Sequence, residues 1–400
     1  MAFVPQGQTE SARRSGNGKR LLIVSAYFPP AVGGVESYVL GLAKAMSARG
    51  CRVTVLTTGS LGLKRPAQDA VEGVSVLRLP VLFKVSYTPL HPLWPFWVRQ
   101  FLAREKFDVI NVHTPVPGLA DLVAAQSPVP LVVTYHAASL LKDDARLLNV
   151  LISIYGLVER GLLRRADQVL AVSPFVADRL QERSGRTVDV LPNALNGRLV
   201  APVAHRLREQ RFTAAFLARL DATHGWKGLS LVLQALDSYR QLYGVLDVDL
   251  VVIGDGDSRT RYEREAEALG LERFVTFVGH AEGARKFDLL REAEVMITYP
   301  TTANDAFPTV FLEAWASGMA VVSADIGAIP SVVADGETAL LARPNSPIEL
   351  AQTLRRMAED RGLRERLADH GRARLVDNFT WEAVAASFDH QLDELIEARS

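Results

Sequence analysis

The sequence predicts an α/β protein built from two doubly wound parallel-sheet domains that face a cleft. Its 400 residues exceed what one hydrophobic core usually supports. Strand-like apolar runs alternate with helical segments of about 10–15 residues, a pattern typical of parallel sheets covered on both faces. The alternation stops once, over residues 194–210, and then restarts. We therefore expect a first domain over 19–198 and a second over 205–380.

Composition and charge exclude several classes of protein. Hydrophobic residues make up 48% and charged residues 22%, as in globular proteins. Lys plus Arg and Asp plus Glu both number 45, which argues against a dedicated nucleic-acid binder. Cys51 is the only cysteine, so neither a disulfide framework nor a cysteine-based zinc site can form, which fits a reducing cytoplasm. No apolar stretch is long enough to span a membrane, and residues 1–18 lack the apolar core of a signal peptide, so we expect a mobile tail there.

The first predicted domain begins with a buried strand, which leads through Gly33 and Gly34 into a helix closed by Gly50. The remaining elements follow in order: strands at 51–58 and 73–80, a helix within 95–106, a strand at 107–114, a helix at 118–126, a strand at 129–137, a long amphipathic helix at 145–165, a strand at 166–173, a helix at 174–185 and a strand at 188–193.

The second predicted domain repeats this alternation. Its elements are strands at 211–220, 248–257, 273–280, 294–300, 320–325 and 338–344, with helices at 227–243, 258–269 and 284–293, another beginning at about 307–309, and a C-terminal set. The last helix, about 381–400, either caps its own domain or packs back on the first, and the sequence leaves both open.

Ligands of doubly wound sheets bind beyond the carboxyl ends of the strands. Gly33 and Gly34 lie at such a point, where small residues and a helix N-terminus would admit a phosphate. A tight strand-to-helix turn is the alternative. The spacing is not G-x-G-x-x-G, and 253–259 also lacks the third glycine, which argues against a nicotinamide oxidoreductase.

Two cations are predicted at the same edge of the second sheet. Arg219 closes a strand and Lys227 opens the next helix. A planar guanidinium and a compact ammonium together suit a diphosphate. The alternative is a pair of solvated loop cations.

Two acids flank the start of a helix in "TTANDAFPTVFLEAW", with Asp305 in the loop and Glu313 about one and a half turns into the helix. They could contact different parts of one ligand. The alternative makes Asp305 an N-terminal cap and Glu313 an exposed acid. That alternative does not explain why Glu313 lies among Phe311, Leu312, Ala314 and Trp315.

The stretch from Asp305 to Pro344 resembles the donor-site segment of the family 4 retaining glycosyltransferases, which have the GT-B fold of two Rossmann-like domains. The family pattern is E-x7-E, small residues, a strand, then G-x-x-E-x-V. The resemblance extends to "YFPPAVGGVESYVLGLAKAMSARGCRVTVLT", "ADQVLAVSPFVADRL", "ARLDATHGWKGLSLVLQAL" and "IGDGDSRTRYEREAEALGLERFVTFVGH". It implies a hexosyl- or N-acetylhexosaminyltransferase of polysaccharide or glycoside biosynthesis. The donor would be a nucleotide sugar, UDP- or GDP-linked, and the acceptor a hydroxyl group.

The resemblance also implies roles for individual residues. Glu313 would bind the ribose hydroxyls and Asp305 the transferred sugar, while Arg219 and Lys227 would neutralise the diphosphate. His136, at the end of a strand, would lie near the reacting sugar. The other residues implied at the donor are Gly33, Gly34, Gly279, His280, Phe307, Pro308, Thr309 and Val310. His113, Trp94 and Trp97 are the residues expected near the acceptor.

Some positions depart from the family pattern. Asp305 replaces the usual Glu, and Pro308 stands where Gly is frequent and removes one N–H donor. Ala194 also replaces a Gly, and Met319-Ala320 replaces the usual turn. These departures affect which donor sugar we expect more than whether we expect glycosyltransferase activity. No D-x-D motif is placed to hold a metal, since Asp247–Asp249 enters a strand and Asp255–Asp257 is expected in a loop. We therefore expect no metal and no cofactor.

The sequence indicates the acceptor less clearly than the donor. Residues 87–106 combine aromatic and basic side chains. In one alternative they rest on a membrane surface, and the protein is cytoplasmic and bound peripherally to the inner face of the membrane. In the other they pack inward and line the acceptor pocket. A glycosyl phosphorylase, a nucleotide-sugar epimerase or a non-catalytic sugar-binding protein could share the architecture.

Overall fold

Two parallel sheets organise the chain, which confirms the predicted fold class. The computed structural model describes residues 18–85, 87–137, 146–200 and 212–399, with the backbone alone for 146–154. Residues 1–17 of the predicted N-terminal tail, residues 201–210 of the predicted linker and residue 211 of the predicted strand after it lie outside the described residues. Within the described ranges, no helix combines the length and low polarity needed to cross a membrane.

In the described residues, the first sheet has eight strands: β1 (Arg20–Val24), β2 (Arg52–Thr58), β3 (Ala67–Val71), β4 (Val74–Leu79), β7 (Val109–Thr114), β8 (Leu131–Tyr135), β9 (Gln168–Ala171) and β10 (Asp189–Val190). Their order across the sheet is β10-β9-β8-β7-β1-β2-β4-β3. All neighbouring pairs are parallel except β3 with β4. Every residue of β7 and β8 is buried, as expected for central strands covered on both faces.

The described residues of this domain form the helices α1 (Gly34–Ala48), α2 (Trp94–Arg104), α3 (Leu119–Gln126), α4 (Arg146–Arg165) and α5 (Pro174–Ser184). Helix α1 forms because its apolar residues recur at helical spacing, so that Tyr38, Val39, Leu42 and Met46 are buried on one face. A small antiparallel hairpin, β5 (Phe83–Val85) with β6 (Thr88–Leu90), lies between β4 and α2.

In the described residues, the second sheet has six parallel strands: β11 (Phe212–Leu217), β12 (Val248–Ile253), β13 (Val275–Gly279), β14 (Val295–Thr298), β15 (Ala320–Ala324) and β16 (Leu340–Ala342). Their order across the sheet is β13-β12-β11-β14-β15-β16. The helices of this half are α6 (Leu229–Tyr243), α7 (Arg259–Ala268), α8 (Gly283–Arg291), α9 (Thr309–Ala316), α10 (Ile329–Val332), α11 (Pro347–Glu359) and α12 (Arg361–Asn378). Buried apolar side chains cover both faces of the sheet.

The last helix, α13 (Trp381–Glu397), packs on the first domain. The Trp381 ring lies directly over Gly41 of α1, where a Cβ atom would come within 2.2 Å of the indole. The Asp389 carboxylate, with no exposed surface, accepts from Lys19 at 2.5 Å and from Arg49 at 3.0 Å. The sequence left two placements open for this helix, and these contacts decide between them.

Three local features differ from the predicted elements. The antiparallel β3 and the hairpin were not expected. Lys227 does not open a helix: it ends a 3-10 turn at Ala222–Lys227, and α6 begins at Leu229. The cause is Gly228, whose φ of +85° lies in the left-handed region and separates the turn from the helix.

Candidate active site

Lys227 and Asp305 meet at the carboxyl edge of the second sheet. β11 and β14 are parallel neighbours, so the loops that follow them emerge side by side. The Lys227 ammonium donates to an Asp305 carboxylate oxygen at 2.6 Å. Both side chains are partly exposed, at 31% and 20%. The structure thus brings together the cation expected at the diphosphate and the acid expected at the sugar.

The backbone beneath this pair explains its placement. The Thr301 N–H donates to the Trp226 carbonyl at 2.8 Å, which joins the 3-10 turn to the loop after β14. A Cβ atom on Gly228 would lie 1.9 Å from the Tyr299 carbonyl oxygen. Only glycine therefore permits this close approach, and the approach holds Lys227 beside Asp305.

Arg219 presents its guanidinium to solvent at the same edge. Its side chain is 73% exposed and contacts Asp221 at 2.9 Å. An exposed guanidinium next to a strand end is available to an anionic ligand. It does not contact the Lys227–Asp305 pair directly.

Helix α9 begins beside that pair. Pro308 is its N-cap residue and contributes no side-chain cap. The Phe311 N–H donates to the Pro308 carbonyl at 3.1 Å, whereas the N–H groups of Thr309 and Val310 have no partner within the helix. Lys227, Asp305, Pro308 and Val310 line one recess. A positive helix end and an ammonium therefore converge on the same small space. Phe307 is buried and packs against Phe379.

Glu313 is held by a residue that the sequence did not indicate. Its carboxylate accepts from Lys286 of α8 at 2.7 Å, with side-chain exposures of 16% and 23%. Glu313 is thus neither a cap nor a freely solvated acid. No sequence pattern joins a lysine in α8 to a glutamate in α9, so their proximity follows only from the packing of the two helices.

Gly279 and His280 end β13 farther along the same edge. Gly279 has a φ of +78°, and a Cβ atom there would lie 3.2 Å from the Arg259 guanidinium. Arg259 donates to the Phe277 carbonyl at 3.2 Å. His280 is exposed and contacts Glu282 at 2.8 Å. This corner combines a glycine backbone with the polar side chains of Arg259, His280 and Glu282.

Gly33 and Gly34 connect β1 to α1. Gly33 has an extended backbone that any residue can adopt, with φ of −179°. A Cβ atom there would meet only the flexible end of Glu36, and one on Gly34 would meet nothing within 4 Å. The protein fold by itself therefore does not require glycine at either position. A ligand that approaches this backbone closely would supply the reason for both.

His113, which is buried, and His136, which is partly buried, form a pair at the carboxyl ends of β7 and β8. His113 Nδ1 lies 2.7 Å from His136 Nε2, and the Tyr38 ring packs edge-on against both. Burial lowers the pKa of His136 to about 3. Burial and then the neighbouring His136 lower the pKa of His113 well below its ordinary value. Both imidazoles are therefore neutral at physiological pH.

Tyr38 and Trp381 are further residues that sequence reasoning missed. The Trp381 ring packs on Tyr38 with centroids 5.3 Å apart, so the last helix of the chain supports the wall behind His136. Their positions inside ordinary amphipathic helices gave no functional signal.

The residues expected near the acceptor are buried or partly buried. His113 is only 2% exposed and lies behind His136. Trp94 is 3% exposed and donates its indole N–H to the Pro80 carbonyl at 2.8 Å. Trp97 is partly buried and packs against His91. Trp94 thus belongs to the core of the first domain.

Comparisons with known proteins agree with this architecture. The model of glycosyltransferase family 4 matches residues 32–196, and that of glycosyl transferases group 1 matches 200–374. The chain is 28% identical over 370 residues to a phosphatidyl-myo-inositol mannosyltransferase of Mycobacterium leprae, covering 92% of this chain and 94% of the relative.

Solved structures show the same fold. A glycosyltransferase of Rickettsia africae superposes with a TM-score of 0.74 at 17% identity, covering 95% of this chain and 99% of that one. Anabaena Alr3699/HepE, in complex with UDP and glucose, superposes with a TM-score of 0.71 at 21% identity, covering 94% and 100%.

The two-domain GT-B fold and these matches define the chain as a glycosyltransferase. Within that class, it belongs to glycosyltransferase family 4.

Proposed function

We propose that this enzyme transfers a hexosyl or N-acetylhexosaminyl group, with retention and without a metal, from a UDP- or GDP-linked sugar to a hydroxyl acceptor. The observation that carries the proposal is the Lys227–Asp305 pair in a recess at the start of α9. A donor diphosphate at this recess exchanges one anionic partner of Lys227 for another. Asp305 is then released to accept from hydroxyl groups of the sugar.

Stabilisation of the leaving group is the main task of the site. As the bond between the sugar and the diphosphate breaks, negative charge grows on the phosphate oxygen. Lys227, Arg219 and the first turn of α9 present positive charge to that oxygen. The acceptor oxygen bonds to the sugar carbon on the face that the diphosphate leaves, and the acceptor proton passes to the departing phosphate. This route retains the anomeric configuration of the sugar, and the departing phosphate takes up the proton that the acceptor loses.

The remaining residues orient the donor. Glu313, fixed by Lys286, accepts from the ribose hydroxyls, and the backbone near Gly279 and His280 borders the base. Gly33 and Gly34 let the first domain approach the diphosphate. A neutral His136 acts as a hydrogen-bonding group toward the sugar, since its lowered pKa suits it neither as a cation nor as a proton donor.

The name of the mycobacterial relative suggests a class of acceptor. That protein is named for a phosphatidyl-myo-inositol acceptor. We propose a lipid-linked acceptor for this chain too, reached from the cytoplasmic side of a membrane, with peripheral contact near residues 87–106. Glycans and small glycosides remain the other hydroxyl acceptors of the same chemistry.

Slow hydrolysis of the donor tests the proposal without knowledge of the acceptor. The purified enzyme is incubated with each nucleotide sugar in the presence of a chelator, and the products are followed by NMR. We expect release of the nucleoside diphosphate with the sugar in its original anomeric configuration.

The same experiment separates the alternatives. Inversion, or complete dependence on added metal, would contradict the proposed mechanism. Turnover that requires inorganic phosphate would indicate a phosphorylase, and a changed sugar still attached to its nucleotide would indicate an epimerase. Binding of a donor with no turnover under any acceptor condition would indicate a sugar-binding protein.

A further inference from the structure

Three neighbouring loops of the first domain form one exposed surface, which we call the three-loop surface. It comprises residues 25–33 after β1, 59–66 after β2, and the described part of 80–93 after β4. These three strands are consecutive and parallel in the sheet, so their carboxyl ends emerge side by side. The Tyr27 hydroxyl donates to the Tyr87 carbonyl at 2.5 Å, which joins the first loop to the third. The Gly59 N–H donates to the Leu79 carbonyl at 2.7 Å, which joins the second loop to the end of β4, directly before the third.

Each loop exposes large apolar side chains. Val32 is 88% exposed and Leu61 58%. The third loop contributes the hairpin and the residue before it: Leu82 at 60%, Phe83 at 48%, Val85 at 47% and Tyr87 at 75%. Large apolar side chains exposed on neighbouring loops mark a site of interaction.

The charged side chains within the three loops are all cationic, and Glu36, in the first turn of α1 just beyond the first loop, is an acid beside them. Lys64, Arg65 and Lys84 are exposed, and none of the three loops contains Asp or Glu. Lys84 lies over the Tyr27 ring at 5.2 Å. Asp69, just beyond the second loop, is already paired with Arg78 at 2.9 Å. Apolar side chains surrounded by cations match a bilayer that carries anionic headgroups.

A second copy of the chain fits this surface poorly. In a two-fold dimer the same patch faces itself, so the three cations of one copy would approach those of the other. No acid within the three loops could compensate them.

We propose that the three-loop surface docks on an anionic lipid bilayer. The surface includes Gly33, at the carboxyl edge of the first sheet where His136 also lies, so docking turns this side of the candidate active site toward the headgroups. An acceptor hydroxyl of a lipid then reaches the site without leaving the membrane. This consequence for the acceptor rests on the proposed function, whereas the docking itself does not.

Vesicle cosedimentation tests the docking. The full chain is mixed with vesicles of phosphatidylcholine alone or with about one third phosphatidylglycerol, at low and at high salt. The apolar variant is Phe83→Ser with Tyr87→Ser, and its matched control is Leu242→Ser with Val245→Ser, which are comparably exposed on the second domain. The charge variant is Lys64→Gln with Arg65→Gln, and its control is Arg264→Gln with Arg273→Gln.

We expect the wild-type chain to bind the anionic vesicles, more weakly at high salt. The charge variant should lose about 30-fold in affinity, at about 5-fold for each cation near the surface. The apolar variant should lose about tenfold or more, and both controls should bind like the wild type. Thermal unfolding checks that all variants remain folded.

Failure of the docking is distinguishable from failure of the proposed function. Absence of binding to anionic vesicles, or equal loss in variants and controls, would overturn the docking. Sedimentation of the chain alone as a dimer that the apolar variant dissociates, without vesicle binding, would instead assign the surface to a second copy. Donor binding by the same variants, measured calorimetrically, reports separately on the active site.

Discussion

Replacement of Asp389 by Asn should detach the last helix from the first domain. Asp389 uses both carboxylate oxygens: one accepts from Lys19 at 2.5 Å, and the other accepts from Arg49 at 3.0 and 3.1 Å. The amide keeps one acceptor and turns an N–H group toward a cation. Hydrogen bonds to charged groups contribute about 1.5–3 kcal/mol each, and a broken buried ion pair costs more than a surface one. We therefore expect a loss of about 2–4 kcal/mol in the free energy of unfolding.

Asp393→Asn is the matched control. Asp393 lies one helical turn later, contacts the same lysine at 2.6 Å and is 40% exposed, so its loss should cost less than about 1 kcal/mol. Urea unfolding of the wild type and both variants, followed by tryptophan fluorescence, measures the difference. Equal midpoints for the two variants would refute the reasoning, because they would show that burial of the pair contributes nothing.

The pH dependence of the Asp389 contribution has a definite sign. Burial opposes ionisation of this carboxyl, but Lys19 and Arg49 outweigh it and hold the pKa below its ordinary value. The contribution is therefore present above the unfolded carboxyl pKa of about 4 and is lost as the pH falls through the folded value. The Asn variant should show a shallower loss of stability on acidification than the wild type.

Three further predictions follow from the site. Gly228→Ala should lower the free energy of unfolding by about 2–4 kcal/mol and weaken donor binding. Alanine cannot adopt the φ of this residue without strain, and its Cβ atom would displace the backbone beside Lys227. Chemical denaturation measures the first effect and calorimetry the second. Lys286→Met and Glu313→Gln should each weaken donor binding about tenfold, and the double variant should lose less than the two effects combined because the pair acts as a unit. His136→Gln should reduce the acid sensitivity of folding. A histidine whose pKa is lowered in the folded state stabilises the fold above its unfolded pKa of about 6.5, and that contribution is lost progressively as the pH falls toward about 3. The stability difference between pH 7 and 5 should therefore be smaller in the variant.

The alternation of strands and helices made the fold predictable from the sequence. Apolar runs of strand length between amphipathic helices admit few arrangements other than two covered parallel sheets. The start of α9 was also predictable, to about 307–309, since Pro308 is tolerated only at the beginning of a helix, and the helix begins at Thr309.

The features that the sequence did not indicate depend on contacts between distant segments. The β5–β6 hairpin has strands of three residues, too short for an alternating pattern. The pairing of Lys286 with Glu313 spans two helices, and the burial of His113 depends on Tyr38 above it. The position of α13 was open because its amphipathic pattern fits either domain, and Trp381 over Gly41 decides it.

The central claim, that Lys227 beside Asp305 marks a nucleotide-sugar site, is tested most directly by calorimetry. A panel of UDP-, GDP-, ADP- and dTDP-sugars is titrated into the wild type, into Lys227→Ala and into the control Lys44→Ala, which removes a lysine from a surface ion pair with Glu72. We predict that one donor binds the wild type and the control alike, with affinity reduced about 10–100-fold in Lys227→Ala. Undiminished binding by Lys227→Ala, or no binding of any nucleotide sugar by the wild type at millimolar concentration, would contradict the assignment of the donor site.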